Sequence, residues 1–351
     1  MPGINLRKTT GNLNISQQWV AELDDHVNSL AWSPNGQWLA AASVSGPITI
    51  FDGKTGQVRH ALSGHGFGTT EIAWNAAGTT LASAGQDGKI RLWDCESGQE
   101  RYALAGGAAW VEHLAWSLQG ELLATAAARK LRLWDASSGL IVQEYPDQNS
   151  TISDIQWQPH SQVLTSSSYG GIAFWHPDQH EALRQFSWKG SVLVIAWSPD
   201  GKYIATGDQD STVHFWIVQS GQDLQMYGYP TKVRELSWDS TSRYLATGGS
   251  EIVTIWDCSG KGPAGSKPIE LEAHAALISA LGFAHRGLLI ASASADGRLI
   301  FWQPGKQKRP LPLAQAAFDT SISQLVWSPD DRMLALGTEN GLVAVCTTPR
   351  V

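Results

Sequence analysis

Apolar and polar side chains alternate with a period of two through short segments along the whole chain, beginning with Val27-Asn28-Ser29-Leu30-Ala31-Trp32. Such segments, bounded by Gly, Asp, Asn and Ser, predict β-strands, because successive side chains of an extended chain point to opposite faces. Eight of them end in an aromatic and a polar or turn residue: SLAWSP, EIAWNA, HLAWSL, DIQWQP, VIAWSP, ELSWDS, ALGFAH and QLVWSP. The aromatics are Trp32, Trp74, Trp116, Trp157, Trp197, Trp238, Phe283 and Trp327, at successive gaps of 42, 42, 41, 40, 41, 45 and 44 residues.

Each copy repeats one grammar. The first segment meets a turn such as SPNGQ (33–37), then a run of small residues such as LASAG (81–85), then a tight turn such as QDG (86–88). A β-branched and aromatic run follows, IRLWD at 90–94, then a turn and a fourth apolar segment. No amphipathic helical stretch with caps interrupts the pattern. Four short antiparallel strands per 40 to 45 residues is the spacing of a β-propeller blade, so an all-β, eight-bladed propeller is expected. The last copy leaves only Thr347 to Val351 after its third strand, too few for a fourth. At the other end WVAEL (19–23) aligns with the fourth-strand segment VRHAL (58–62). Trp19 to Leu23 is therefore expected to complete the last blade and close the ring, with residues 1–18 and 348–351 as tails of a single 19–347 domain.

Gly64-His65, Ser83, Asp87 and Trp93-Asp94 resemble the WD-repeat family, and the likeness extends over about residues 19–347. The resemblance implies that His, Ser or Thr, Asp and Trp of one repeat form a hydrogen-bonded set. Complete sets are His65, Ser83, Asp87 and Trp93, and His274, Ser292, Asp296 and Trp302. A buried indole N–H needs an acceptor and a buried carboxylate needs donors, so these are read as structural struts and not as a catalytic triad. Other repeats have lost members: the fifth keeps Thr206, Asp210 and Trp216 but carries Trp188 at the His position. The third has Gly107 and Arg129 at the His and Asp positions, the fourth Gln148 and Gly170, and the last has Asn340 for Asp and Cys346 for Trp.

The resemblance also implies a loop face on which partners dock. Asp24, His26, Trp110, Trp188, Lys189, Tyr229 and Lys232 fall in loops between fourth and first strands, and Gln86, Tyr169, Gln209 and Glu339 beside the Asp positions. Trp110, Tyr169, Trp188 and Tyr229 are expected to act as exposed interface aromatics, although Trp188 could instead fill the space of the missing His. The expected function is a non-catalytic scaffold for a protein or peptide. The alternative is a small-ligand or metal-binding propeller, a hydrolase or metal-homeostasis accessory, using His176 and His180 of HPDQH.

Composition narrows this further. Apolar residues make up 42% and charged residues 16% of 351, as in a packed globular protein, and the net charge of -7 opposes nucleic-acid binding. Lys306-Gln307-Lys308-Arg309, the densest basic run, reads as a solvated loop. Cys95, Cys258 and Cys346 lie far apart without a CxxC pair, which suits a reducing compartment. No apolar run approaches membrane-spanning length, so a cytoplasmic protein without membrane insertion is expected, in the style of stand-alone bacterial members of the family. GKGPAGSK (260–267) lacks the order of a phosphate loop, HEALR (180–184) lacks a second His, GxSxG is absent, and Asp208 and Asp210 lack the rest of a calcium loop. No enzyme activity and no cofactor are expected.

Overall fold

The computed structural model describes residues 15–107, 109–260, 262–263, 265–305 and 310–349, so the basic run at 306–309 lies outside the described residues. Among them the chain forms thirty β-strands and no helix, and none of it is a helix long and apolar enough to cross a membrane. The strands make seven blades, six of four antiparallel strands and one of six. The expectation of eight separate blades is therefore corrected. The fourth and fifth repeats share one sheet, in the order Asp154–Trp157, Leu164–Trp175, Arg184–Trp197, Tyr203–Asp208, Val213–Ile217 and Gln222–Met226. The physical reason is local. Elsewhere a loop without strand pairing, such as Gly64 to Gly68, separates an outer strand from the next inner strand. Between Phe186 and Val192 the sequence SWKGS carries no comparable break, Arg184–Trp197 runs through it for 14 residues, and Tyr169 pairs with Ser191 across it.

The described residues divide into two compact units, one within 24–195 and one made of those up to Leu23 together with those from Ala196 onward. In the first unit the core lies between the faces of successive sheets. Ala40, Ala42, Ile48, Ile50 and Leu62 of one blade pack on Ile72, Trp74, Leu81 and Trp93 of the next. The second unit repeats the scheme, with Ala246, Val253, Ile255 and Leu271 against Ile278, Phe283, Ile290 and Trp302. This explains the small-residue runs. A second strand such as Thr80–Gly85 is buried along its whole length, so alternation disappears and small side chains let the sheets close to packing distance.

The inner strands carry the feature that joins one blade to another. Val27–Trp32 and Thr69–Trp74 share one burial pattern, with two half-buried residues in succession after the first. The register with the second strand slips at that place in five blades, between Val27 and Ser29, Thr69 and Glu71, Val111 and His113, Ile278 and Ala280, and Ile322 and Gln324. A bulge re-aims side chains. Here it turns two polar residues toward the next inner strand, whose backbone edge has no sheet partner. Asn28 donates through Nδ2 to the carbonyls of Thr69 and Thr70, both at 2.9 Å, and Thr70 Oγ1 donates to Val111 O at 2.5 Å. Leu114 N–H donates to Glu71 Oε2 at 2.7 Å, and Ile195 N–H to Asp154 Oδ2 at 2.8 Å. In the second unit Ser279 Oγ donates to Ile322 O at 2.5 Å.

The repeated tryptophan does the same over one repeat. Its indole N–H donates to the carbonyl just before the aromatic of the preceding repeat: Trp74 to Ala31, Trp116 to Ala73, Trp157 to Ala115 and Trp238 to Ala196, all at 3.0 Å, and Trp327 to Gly282 at 2.9 Å. At five of the repeated aromatics the 40-to-45-residue rhythm is thus marked by an indole–carbonyl bond.

The N-terminal strand Gln17–Glu22 pairs antiparallel with Leu342–Thr347 and completes the sheet that also contains Ile322–Trp327 and Met333–Thr338. Trp19 sits opposite Val345, Val20 opposite Ala344 and Ala21 opposite Val343, Leu23 N–H donates to Gly341 O at 2.9 Å, and Trp19 is buried. Without this strand the apolar edge LVAVC would be bare, the arrangement that favours aggregation.

Two outcomes follow. Removing residues 1–22 lowers the melting temperature or makes the protein aggregate, and a truncated protein that melts like the full chain refutes the role of the terminal strand. Trp116→Phe, which keeps the ring and removes the donor, lowers the unfolding free energy by about 1 to 2 kcal/mol in a denaturant titration; an unchanged midpoint and slope would show that the indole bond contributes nothing.

Candidate functional site

In the second repeat His65 Nδ1 lies 2.8 Å from Asp87 Oδ1, His65 Nε2 lies 2.8 Å from Ser83 Oγ, and Trp93 Nε1–H donates to Ser83 Oγ at 2.9 Å. Burial lowers the His65 pKa against the opposing pull of Asp87, so the imidazole is neutral. A neutral ring with a carboxylate at Nδ1 carries its proton there, so the relay runs Trp93 N–H to Ser83, Ser83 O–H to His65 Nε2, and His65 Nδ1–H to Asp87. In the seventh repeat the same distances are 3.3 Å from His274 to Asp296, 2.8 Å from His274 to Ser292 and 2.9 Å from Trp302 to Ser292. Ser83 and Ser292 are fully buried and the histidines nearly so, which leaves no approach for a substrate. The constellation braces a sheet.

Repeats that lack the histidine fill its place in different ways. Trp134 donates to Thr125 and Trp175 to Ser166, each at 2.9 Å, with no imidazole beyond. In the third repeat the Arg132 guanidinium reaches the ground beside Gly107 and donates to Gly106 O, while Arg129 turns out to Asp147 at 3.3 Å. Tyr229 is not an exposed interface aromatic. Its hydroxyl lies 2.8 Å from Thr247 Oγ1 and accepts the Trp256 indole N–H at 2.8 Å, so a phenol stands between the tryptophan and the second-strand hydroxyl. Burial pushes its pKa up to about 12, which keeps it a donor. The signal was in the sequence: Tyr229 precedes Thr247 by 18 residues, the separation of His65 from Ser83 and of His274 from Ser292.

The fifth repeat uses an acid. Asp208 aligns with Gly85, where an added Cβ would lie 2.2 Å from His65 Cγ, so a side chain there and a histidine exclude each other. With no histidine, Asp208 is admitted. It is fully buried, Thr206 Oγ1 donates to its Oδ2 at 3.2 Å, and Trp216 Nε1–H donates to Thr206 Oγ1 at 3.4 Å. Its Oδ1 has no hydrogen-bond partner among the described residues. Burial, reinforced by the charge of Asp210, pushes the carboxyl up to about 8, so Asp208 holds a proton at neutral pH. Asp210 is exposed and accepts from Thr212 Oγ1 at 2.7 Å.

The loop residues are sorted plainly by exposure. In the first unit Trp110 and Tyr169 are 53% and 57% exposed, Lys189 and Asp24 are exposed, and His26, Gln86 and Trp188 are half-buried. In the second unit Lys232, Gln209 and Glu339 are exposed. Phe67 was missed: it is 87% exposed and holds a positive φ of 69° between Gly66 and Gly68. A bulky residue in that region is strained, and such strain clusters at ligand-binding loops. Backbone bonds place the loops of the first unit at one end of its sheets: Gln86 N–H donates to Gly68 O at 3.0 Å, Gly106 N–H to Gly88 O at 2.9 Å, and Gln148 N–H to Arg129 O at 3.0 Å.

His176 Nδ1 accepts the Asp178 N–H at 3.2 Å, and His180 Nδ1 faces Gln143 Nε2 at 3.1 Å. No group of three His, Cys, Asp or Glu able to hold a metal is present among the described residues. Burial pushes the thiols of Cys95, Cys258 and Cys346 up to about 12, far from thiolate character.

Asp208 gives this site a pH signature. Between its ordinary 3.8 and about 8 the folded protein keeps a proton that the unfolded chain releases, so its contribution to stability falls as pH rises through that window. Asp208→Asn removes this dependence. Its melting temperature should gain on wild type between about pH 5 and pH 8, and a gap that stays constant over that range would contradict the assignment.

Comparison with known proteins agrees with this geometry. Residues 56–94, 181–216, 221–257 and 265–303 match the family "WD domain, G-beta repeat", and residues 12–66 match "Anaphase-promoting complex subunit 4 WD40 domain". No curated protein matches. Among solved structures the chain is similar to the crystal structure of the computationally designed Ika8 protein, with a TM-score of 0.80 and 20% identity, over 95% of this chain and 100% of that one. At that identity the likeness speaks for the fold alone. The repeated struts, the four-stranded antiparallel blades and the matched segments agree: the chain belongs to the WD-repeat β-propeller family.

Proposed function

We propose that this protein is a non-catalytic scaffold that holds a protein or peptide partner on the loop end of residues 24–195, with Phe67, Trp110 and Tyr169 as the contact aromatics. Propellers of this family are generally protein-interaction scaffolds and typically not enzymes, which sets the class. The observation that carries the site is Phe67, nearly free of protein contact and strained in backbone, at the same end of the sheets as Trp110 and Tyr169. An aromatic side chain left in water forgoes the hydrophobic gain of burial, and large exposed aromatics are what binding surfaces use as anchors. Beside Tyr169 a shallow cavity of about 50 Å³ is lined by Gln148, Asn149, Ser168, Gly170 and Phe186 among others. Small-molecule pockets run to roughly 300–1,000 Å³. The cavity suits one side chain of a bound peptide.

The test is a triple variant, Phe67→Ala, Trp110→Ala and Tyr169→Ala, which should keep the wild-type melting curve and lose the proteins that the wild type captures from its native host. Recovery of the same partners in the same amounts by both proteins would count against this surface.

A further inference from the structure

The outer strand of the third repeat departs from its two predecessors. Val58–Leu62, Glu100–Ala105 and Leu140–Glu144 are the last strands of their four-stranded sheets, so each presents an edge. Each holds one extra residue against its neighbour, at the register slips between Ile50 and Phe51, Leu92 and Trp93, and Leu133 and Trp134. The extra residue is Arg59 in the first repeat and Arg101 in the second, but Val142 in the third. Two positions earlier stand Gln57, Gln99 and Leu140. A charge on a bulged edge strand keeps other strands from adding to it. Arg59 is held there with its guanidinium 5.6 Å from the centre of the Trp38 ring.

In the third repeat the charged guard is gone. Leu140, Ile141 and Val142 are three consecutive aliphatic residues, 68%, 47% and 48% exposed. The one charge on the strand, Glu144, is neutralised by Arg132 at 2.6 Å and Lys130 at 3.7 Å. The edge is also self-complementary. A two-fold axis through Ile141 sets Leu140 opposite Val142 and Ser138 opposite Glu144, so apolar meets apolar and no like charges are opposed.

We propose that Leu140–Glu144 is the contact through which two copies of this chain associate, edge against edge about a two-fold axis. The same patch serves both copies, and the bulge at Val142 confines the contact to a short segment. This surface lies on an outer strand and is separate from Phe67, Trp110 and Tyr169.

Val142→Arg restores the residue type that the first two repeats carry at this position, so it is compatible with the blade. Sedimentation velocity is measured on wild type, Val142→Arg, Ile141→Lys and the control Val58→Lys, up to about 100 μM chain. The wild type and Val58→Lys should approach twice the chain mass, while Val142→Arg and Ile141→Lys remain single chains with wild-type circular dichroism. A wild type that stays monomeric over the whole range overturns the proposal and leaves the edge to a different partner. So does association of Val142→Arg equal to wild type, or its loss in Val58→Lys.

Discussion

A blade has one strand at its inner edge whose backbone N–H and C=O groups on the outward side find no partner in their own sheet, and the structure depends on how those groups are satisfied. Such groups cannot be left bare without losing the free energy of a hydrogen bond each. Here the answer is a side-chain bridge. A bulge turns Asn28, Thr70 or Ser279 toward the next inner strand, and the residue after it, Glu71 for example, accepts a neighbouring N–H. The indoles of Trp74, Trp116, Trp157, Trp238 and Trp327 each close a further bond one repeat back. Sheet-to-sheet packing then follows, because the bridges fix the spacing at which Leu, Ile and Ala faces meet. Stability in such a chain is a sum over neighbouring units and their joints, which is why single repeats tolerate heavy change.

That tolerance is visible in the internal struts. The imidazole of two repeats gives way to a phenol at Tyr229, to a protonated carboxyl at Asp208, and to a guanidinium reaching over Gly107. All fill the volume between the second strand and the loop before the first. What they share is burial and a hydrogen bond to the second-strand hydroxyl or to the loop, and none presents a reactive atom to solvent. A serine, a histidine and an aspartate within hydrogen-bond reach are thus a matter of architecture here, because Ser83 is sealed under its own sheet.

Strand type, order within each unit and the pairing of the first strand with the last were legible in the sequence, because period-two alternation and turn residues act locally and the repeat supplies a template. The number of blades was not. Gly170-Gly171 and Gly190 fall inside Leu164–Trp175 and Arg184–Trp197, so the strand bounds do not follow the repeat there. Exposure was the least legible quantity. Tyr229 lies in a loop by sequence, yet its hydroxyl is drawn inward by an indole donor from another strand, a tertiary fact that only the 18-residue spacing could have signalled. Phe67 was hidden for the opposite reason: it stands beside the glycine-histidine pair, where the eye assigns every residue to the repeat.

The pairing of the two chain ends has a consequence for how the molecule is made. Ser16 N–H and Thr347 Oγ1 meet at 2.8 Å although 331 residues separate them. Synthesis at roughly 5–20 residues per second puts tens of seconds between the emergence of these two segments. During that interval the strand Gln17–Glu22 is an unclaimed ribbon, and nothing made before Leu342 can take its final place beside it. The last blade is therefore finished only after translation of the last repeat, and the cell must keep a buried-type segment out of wrong company until then.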